Sequence, residues 1–127
     1  MSKKIVKTPN APSPIGPYNQ AVIVDKLVYT SGQIAIDTQT NTVCEGGIVE
    51  QTRLVLTHLK AVLEGAGSSL EKVVKVTVFL KNMNDFTAMN AVYKEFFKPE
   101  SAPARSTIEV ARLPKDVIVE IEAVASL

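Results

Sequence analysis

The sequence has little of what many active sites require. It contains one cysteine, one histidine and no tryptophan. A lone Cys44 cannot form an internal disulfide, which fits a reducing compartment. A lone His58, which we expect at the surface or boundary of a helix, supplies neither a catalytic triad nor a metal cluster. The glycines form no GxGxxG or phosphate-binding loop, so the sequence does not indicate a site for a nucleotide cofactor.

Charge of one sign and long apolar runs are missing as well. Lysine and arginine number 14 against 13 aspartates and glutamates, and the basic residues are scattered, so nucleic-acid binding is not indicated. No apolar run approaches the roughly 20 residues that cross a bilayer, and the first seven residues are too polar for a signal peptide. The length of 127 residues suits one domain, 1–127, and we expect it in the cytoplasm.

The apolar patterns that are present predict an α+β domain. Residues 48–66 place apolar side chains at helical spacing, and a second helix is expected from Asn84 or Asp85, as its cap, to about Phe97. Runs rich in β-branched residues predict strands at 21–24, 27–30, 73–80, 105–110 and 117–124. The first two are expected to form a hairpin, and the second to continue through 32–36 after an irregularity at Ser31-Gly32.

Two further segments bear on assembly. Residues 8–17 hold four prolines and should run extended along a surface, with Ile15 and Tyr18 giving them something to bury. The strand at 73–80 is apolar on one face and partly apolar on the other, whereas two helices cover only one side of a sheet. We therefore expect the other side to meet another subunit.

Arg105 and Glu120 are the most informative residues. Glu120 lies among residues that favour burial, where an ionised carboxylate needs a partner, water or a chemical role. A guanidinium can hold a carboxylate through two parallel hydrogen bonds, so Arg105 fits a small-acid site. An ion pair of Arg105 with Glu109, Glu120 or Glu122, or of Glu120 with a lysine, is the structural alternative.

Several short motifs together carry a resemblance to a known family. They are Ile15-Gly16-Pro17-Tyr18, Ser31-Gly32-Gln33-Ile34, Thr77 to Leu80 with Asp85-Phe86, Met89 to Tyr93, and Pro103-Ala104-Arg105-Ser106 with Leu113-Pro114 and Val119-Glu120-Ile121. In this order and over nearly the whole length, the chain resembles the RidA family of reactive-imine deaminases. The resemblance implies a chorismate-mutase-like fold, a mixed sheet with two helices on one face, and a homotrimer with active sites between subunits.

The resemblance also implies roles for individual residues. Arg105 would hold the carboxylate of a 2-imino acid, and Glu120 would activate or orient the hydrolytic water. Tyr18, Ser31, Gly32, Asn90 and Thr107 would line the pocket. Thr107 stands where many relatives carry cysteine; its hydroxyl still forms hydrogen bonds, so we expect deamination to survive and thiol-dependent behaviour to be absent.

The implied reaction is hydrolysis of 2-iminobutanoate and 2-iminopropanoate, the latter in exchange with 2-aminoacrylate, to 2-keto acids and ammonia without cofactor. Two alternatives remain at this point. One is a trimer that binds small carboxylates for regulation without catalysis. The other is the endoribonuclease or translation-inhibitor activity of some relatives, which the near-neutral charge disfavours.

Overall fold

A computed structural model describes residues 2–127, which form a six-stranded mixed sheet with two α-helices on one face. The strands of this sheet lie in the order β1-β2-β3-β8-β6-β7, and only β6 and β7 are parallel. The α+β class and the two covering helices are confirmed. The elements are β1 Lys3–Val6, β2 Ala21–Val24, β3 Leu27–Thr30, β4 Ile36–Asp37, β5 Thr42–Val43, α1 Ile48–Gly65, β6 Val73–Leu80, α2 Phe86–Phe96, β7 Ala104–Glu109 and β8 Val119–Ser126.

The β2–β3 hairpin and β6 have the predicted bounds. Asp25 makes the hairpin turn with a φ of 54°, a conformation that aspartate tolerates better than most residues. The expected extension through 32–36 is wrong, because after Thr30 only Gln33 keeps a bridge, to Ile121, and residues 36–37 instead pair with β5 in a separate ribbon.

Two features of the sheet were not predicted. The N-terminal strand β1 pairs with β2, although its sequence begins with two lysines, because it is an edge strand with one side in solvent. A bulge near the start of β6 turns Val73 into the core and leaves Val74 exposed, although strict alternation would put Val74, not Val73, on the buried face with Val76.

The core lies between the helices and the sheet. The predicted stripe of α1 is confirmed, since Val55, Leu59, Val62 and Leu63 are fully buried. Helix α2 contributes Met89, Val92 and Tyr93. Asp85 occupies its N-cap position, as predicted, but the Asp85 side chain makes no capping hydrogen bond; Asn82 instead accepts one from the Asn84 amide, one short turn earlier.

His58 is buried, not at the surface as expected. Its Nε2 lies 2.7 Å from the carbonyl oxygen of Ile36, so Nε2–H donates and Nδ1 is left without a partner in residues 2–127. Burial lowers the pKa of His58, so the neutral ring serves as a link between α1 and β4.

The face of the sheet opposite the helices carries apolar side chains that nothing within residues 2–127 covers. Four large apolar side chains on this open face are each 44–50% exposed: Ile5, Tyr29, Val74 and Ile108.

Helices long and apolar enough to cross a membrane are absent from residues 2–127.

Candidate active site

Arg105 lies on the edge strand β7, and its side chain points toward α2. It is the register partner of Val76, whose side chain faces the core beneath the helices. The Arg105 Nη1 donates to Asn90 Oδ1 at 2.7 Å. The guanidinium carbon lies 4.5 Å from the centre of the Tyr93 ring and 5.6 Å from that of Phe86. Asn90 and the two rings therefore hold the guanidinium by one edge and one face.

A hollow of about 330 Å³ opens beside this arginine, and its lining includes Asn90, Tyr93, Phe97 and Pro103. No salt bridge in residues 2–127 uses Arg105; the two present are Arg53–Glu95 and Arg112–Asp116. The ion-pair alternative for Arg105 is therefore wrong within one chain. Its remaining N–H groups are available to an anion that enters the hollow.

Glu120 lies on β8, on the open face of the sheet. Its register partner is Phe79, and its flanking residues Val119 and Ile121 point into the core. The carboxylate is half-buried and makes no hydrogen bond or ion pair within residues 2–127, so the lysine alternative is also wrong within one chain. Burial raises the pKa of Glu120, and the negative charge of Glu122 raises it further. A partly desolvated carboxylate of this kind is suited to accept a proton near neutral pH.

Gly32 approaches this carboxylate so closely that a side chain does not fit. A Cβ built on Gly32 would lie only 2.0 Å from Glu120 Oε2. The Gly32 backbone and the carboxylate thus share one wall of a cleft of about 360 Å³, whose lining also includes Tyr18, Ser31 and Pro114.

The proline-rich segment forms the opposite wall of this cleft. Ile15 and Tyr18 are exposed there, and the Ile15 amide donates to the Tyr18 hydroxyl at 3.3 Å. Ser31 is tied back to this segment, since its hydroxyl donates to the Asn19 carbonyl and its amide donates to Gln20 O at 2.8 Å. The surface position of the segment is confirmed, but its extended conformation is not, because residues 9–10 form a turn and the chain bends at 11 and at 15–17. The segment leads to Tyr18, which lies beside Ser31 and Glu120.

The predicted residues thus fall into two separate groups within one chain. Tyr18, Ser31 and Gly32 lie with Glu120, whereas Asn90 lies with Arg105. The two groups are on opposite faces of the sheet, and β6 separates the strands of Arg105 and Glu120. Arg105 and Glu120 therefore do not meet in a single copy of the chain.

Thr107 belongs to neither group. It follows Arg105 on the same face of β7 and is partly buried, opposite Val78, but it lines neither hollow. Its proposed part in binding stays a prediction.

Within residues 2–127, no group of three or more His, Cys, Asp or Glu side chains lies close enough together to hold a metal ion.

Sequence reasoning missed several residues of the site. Tyr93, to which the sequence motifs assign no role, supports the guanidinium of Arg105, and its ring stacks on Phe97 at 4.6 Å between centres. The spacing of Asn90 and Tyr93, three residues apart on one helix face, was the available signal. Gln20, which fixes the proline-rich segment, had no such signal.

Comparisons with known proteins agree with this architecture. The family model described as endoribonuclease L-PSP matches residues 8–127. A RutC family protein of Synechocystis is 56% identical, with 100% of this chain and 98% of the relative covered. A 2-iminobutanoate/2-iminopropanoate deaminase of the mite Dermatophagoides farinae is 50% identical, with coverage of 96% and 94%.

Among solved structures, the Escherichia coli protein TdcF with bound serine superposes with a TM-score of 0.91. It is 46% identical, and 98% of each chain is covered. Matches over nearly the full length at such identities show a shared fold and a common ancestry. The chain therefore belongs to the RidA family, whose model carries the description endoribonuclease L-PSP.

Proposed function

We propose that the protein is a hydrolytic deaminase of 2-imino acids, acting on 2-iminobutanoate and 2-iminopropanoate in sites formed between subunits of a homotrimer. The observation that carries the proposal is the division of the site. Arg105 is fixed beside one hollow, and Glu120 borders another on the opposite sheet face. Each half is incomplete alone, and a neighbouring copy can supply the other.

The open face of the sheet supports the assembly. Its exposed apolar residues, among them Tyr29 and Val74, are the kind of surface that subunits cover. In a closed ring, each subunit presents its Arg105 side to one neighbour and its Glu120 side to the other. Three equivalent clefts result, each with one arginine and one glutamate from different chains.

Arg105 binds the carboxylate of the substrate in this proposal. Asn90 occupies only Nη1, so two other N–H groups of the guanidinium can grip the two carboxylate oxygens. The aromatic support of Tyr93 and Phe86 fixes the plane of the guanidinium before substrate arrives. The mite relative named for this activity and the serine bound to TdcF, a small amino acid, support a ligand of this class.

Glu120 acts on the water. The substrate reacts as its protonated imine, the iminium ion. The Glu120 carboxylate accepts a proton as the water oxygen bonds to C2, and the electron pair of the C=N bond moves to nitrogen, giving a neutral carbinolamine. Glu120 then returns the proton to that nitrogen. The C–N bond breaks as the hydroxyl oxygen forms the carbonyl, and ammonia takes up the hydroxyl proton, so the products are a 2-keto acid and ammonium. The carbon is already electrophilic, so orientation and one base suffice.

The test is the rate of 2-oxobutanoate formation when 2-iminobutanoate is generated in situ by threonine dehydratase. Semicarbazide competes for the imine, so acceleration by the protein appears as reduced semicarbazone formation. We expect wild-type protein to accelerate hydrolysis at catalytic concentrations. A rate equal to the protein-free control would overturn the deaminase proposal; binding of 2-oxobutanoate without turnover would then favour the regulatory trimer.

The family description raises RNA cleavage as a second candidate. Near-balanced charge gives it no support from this chain. Incubation of the same preparation with a labelled single-stranded RNA, with and without added salt, completes the comparison of the two activities.

The pH dependence of the reaction should reveal the environment of Glu120. Because the ionised form is the base, kcat/KM should fall as pH decreases through a pKa above the ordinary glutamate value of about 4.3. Glu122→Gln removes a negative charge that raises this pKa, so the acidic limb should move to lower pH while burial keeps it above the ordinary value.

The measurement is kcat/KM against pH, each point divided by the uncatalysed rate at that pH. Glu64→Gln, which changes an exposed glutamate on α1 outside both hollows, is the matched control and should leave the limb in place. An acidic limb that Glu122→Gln leaves unmoved would contradict the role given to Glu120.

A further inference from the structure

A smaller cavity, of about 40 Å³, lies next to the Glu120 cleft. The two share Ile15, Tyr18, Gly32 and Ile34 as walls, so the cavity opens off the place where the proposed reaction occurs. Its lining is mostly apolar, with Ile36 adding to the shared isoleucines. Neither Arg105 nor Glu120 lines it, and the mechanism leaves it without a role.

The wall formed by the proline-rich segment is held in place by one buried side chain. The Gln20 amide nitrogen donates to the carbonyls of Thr8, Ala11 and Pro12 at 3.0, 3.2 and 2.9 Å, and its oxygen accepts from the Thr8 amide at 2.7 Å. Both the nitrogen and the oxygen of the Gln20 side-chain amide are therefore engaged in hydrogen bonds, and the residue is only 4% exposed. A wall fixed in this way keeps the cavity at one size.

We propose that this cavity receives the side chain of the 2-imino acid and restricts substrates to short, unbranched aliphatic chains. The inference rests on the proposed function. The reacting carbon, C2, has three substituents: the carboxylate, the imine nitrogen and the side chain. The carboxylate goes to Arg105 of the neighbouring subunit, and the nitrogen lies within reach of Glu120, which returns a proton to it. The water held by Glu120 approaches from one side of the plane that contains the three substituents. The side chain is left to point along the wall of Ile15 and Ile34, into the cavity.

The volume sets the limit on length. A cavity that holds one water molecule has a volume of about 10–15 Å³. The cavity of about 40 Å³ therefore admits roughly three non-hydrogen atoms. A methyl group leaves the cavity partly empty, an ethyl or propyl group fills it, and an isobutyl or benzyl group exceeds it. Until the cavity is full, each added methylene should raise kcat/KM about tenfold.

A distal carboxylate is the competing occupant. Asn41 and Lys115, on turns with φ of 59° and 56°, give the cavity a polar edge. The mostly apolar wall favours the aliphatic chain, because burial of a second carboxylate against Ile34 and Ile36 would remove it from water. The imine derived from aspartate therefore serves as a decisive comparison.

The experiment measures kcat/KM for a series of imines made in situ by amino-acid oxidases, with catalase present and semicarbazide as competitor. The series derives from alanine, 2-aminobutyrate, norvaline, leucine, phenylalanine and aspartate. It is run with wild type, with Ile34→Ala, which enlarges the cavity, and with Ile48→Ala, which changes a partly buried isoleucine at the start of α1 that lines neither space.

Wild type should favour the 2-aminobutyrate and norvaline imines over those of leucine, phenylalanine and aspartate. Ile34→Ala should raise the leucine-to-2-aminobutyrate ratio of kcat/KM by about tenfold or more, and Ile48→Ala should leave that ratio unchanged. A wild type that is active but indifferent to chain length, a preference for the aspartate imine, or a ratio unchanged in Ile34→Ala would overturn the cavity assignment alone. A wild type inactive on every imine would overturn the proposed function and this inference together.

Discussion

Arg105→Ala is expected to lower kcat/KM for 2-iminobutanoate by about 10²–10³-fold, until the rate merges with uncatalysed hydrolysis. Loss of one partner of a desolvated, hydrogen-bonded charge pair costs about 2–5 kcal/mol, and each 1.4 kcal/mol is tenfold in rate. The fold should persist, because Arg105 is a partly buried residue on the edge strand and is not one of the buried residues that form the core. The measurement is steady-state kinetics by semicarbazide competition, alongside the midpoint of thermal unfolding.

Arg105→Lys separates charge from geometry. A lysine retains the positive charge but cannot make two parallel hydrogen bonds to a carboxylate or lie flat on Tyr93. We expect a loss of about 10–10²-fold, between wild type and Arg105→Ala. Arg53→Ala, which removes an exposed arginine paired with Glu95 on the helix side, should change activity less than about twofold. Full activity in Arg105→Lys would show that the carboxylate needs only a nearby charge.

Gly32→Ala is expected to reduce kcat/KM by about 10²-fold, the scale of a lost general base. The added Cβ would lie 2.0 Å from Glu120 Oε2 and 2.7 Å from Cδ, so the carboxylate must move. The atoms in conflict belong to the end of a flexible side chain, and Gly32 has no positive φ to strain. The expected result is therefore a displaced base in a folded protein.

Gly47→Ala provides the matched control for that substitution, since a Cβ there meets nothing within 4 Å. It should retain wild-type kinetics, with stability lowered by about 0.5–1 kcal/mol, because Gly47 is the N-cap of α1, where alanine is less favourable than glycine. Thermal unfolding of both variants is measured beside kcat/KM. Wild-type activity in Gly32→Ala, with unchanged unfolding, would mean that the position of the Glu120 carboxylate does not matter.

Local pattern was enough to predict most elements of the fold. The β-branched run of β6 and the spaced apolar residues of α1 identify their elements because each depends on neighbours in sequence. Strand β1 was missed because its stability comes from pairing with β2 and from the burial of Val6, which no local pattern records. His58 was misplaced for the same reason: its partner, Ile36, lies 22 residues away.

The site was predicted residue by residue but not in its arrangement. Alternation along a strand shows that Arg105 and Thr107 share a face, yet it does not say which face the helices cover. That depends on the parallel pairing of β7 with β6, which puts Arg105 beneath α2, and on the antiparallel pairing of β8, which puts Glu120 on the open side. The separation of the two charges follows from sheet topology, a property of the whole fold.

The measurement that tests the central claim most directly is complementation between two inactive variants. Arg105→Ala and Glu120→Gln chains are produced separately, then unfolded, mixed in equal amounts and refolded together. If each site takes its arginine and its glutamate from different subunits, random mixing gives a quarter of the sites both groups, so about a quarter of wild-type activity should return. Activity in the mixture no higher than the average of the two variants would contradict a site shared between subunits.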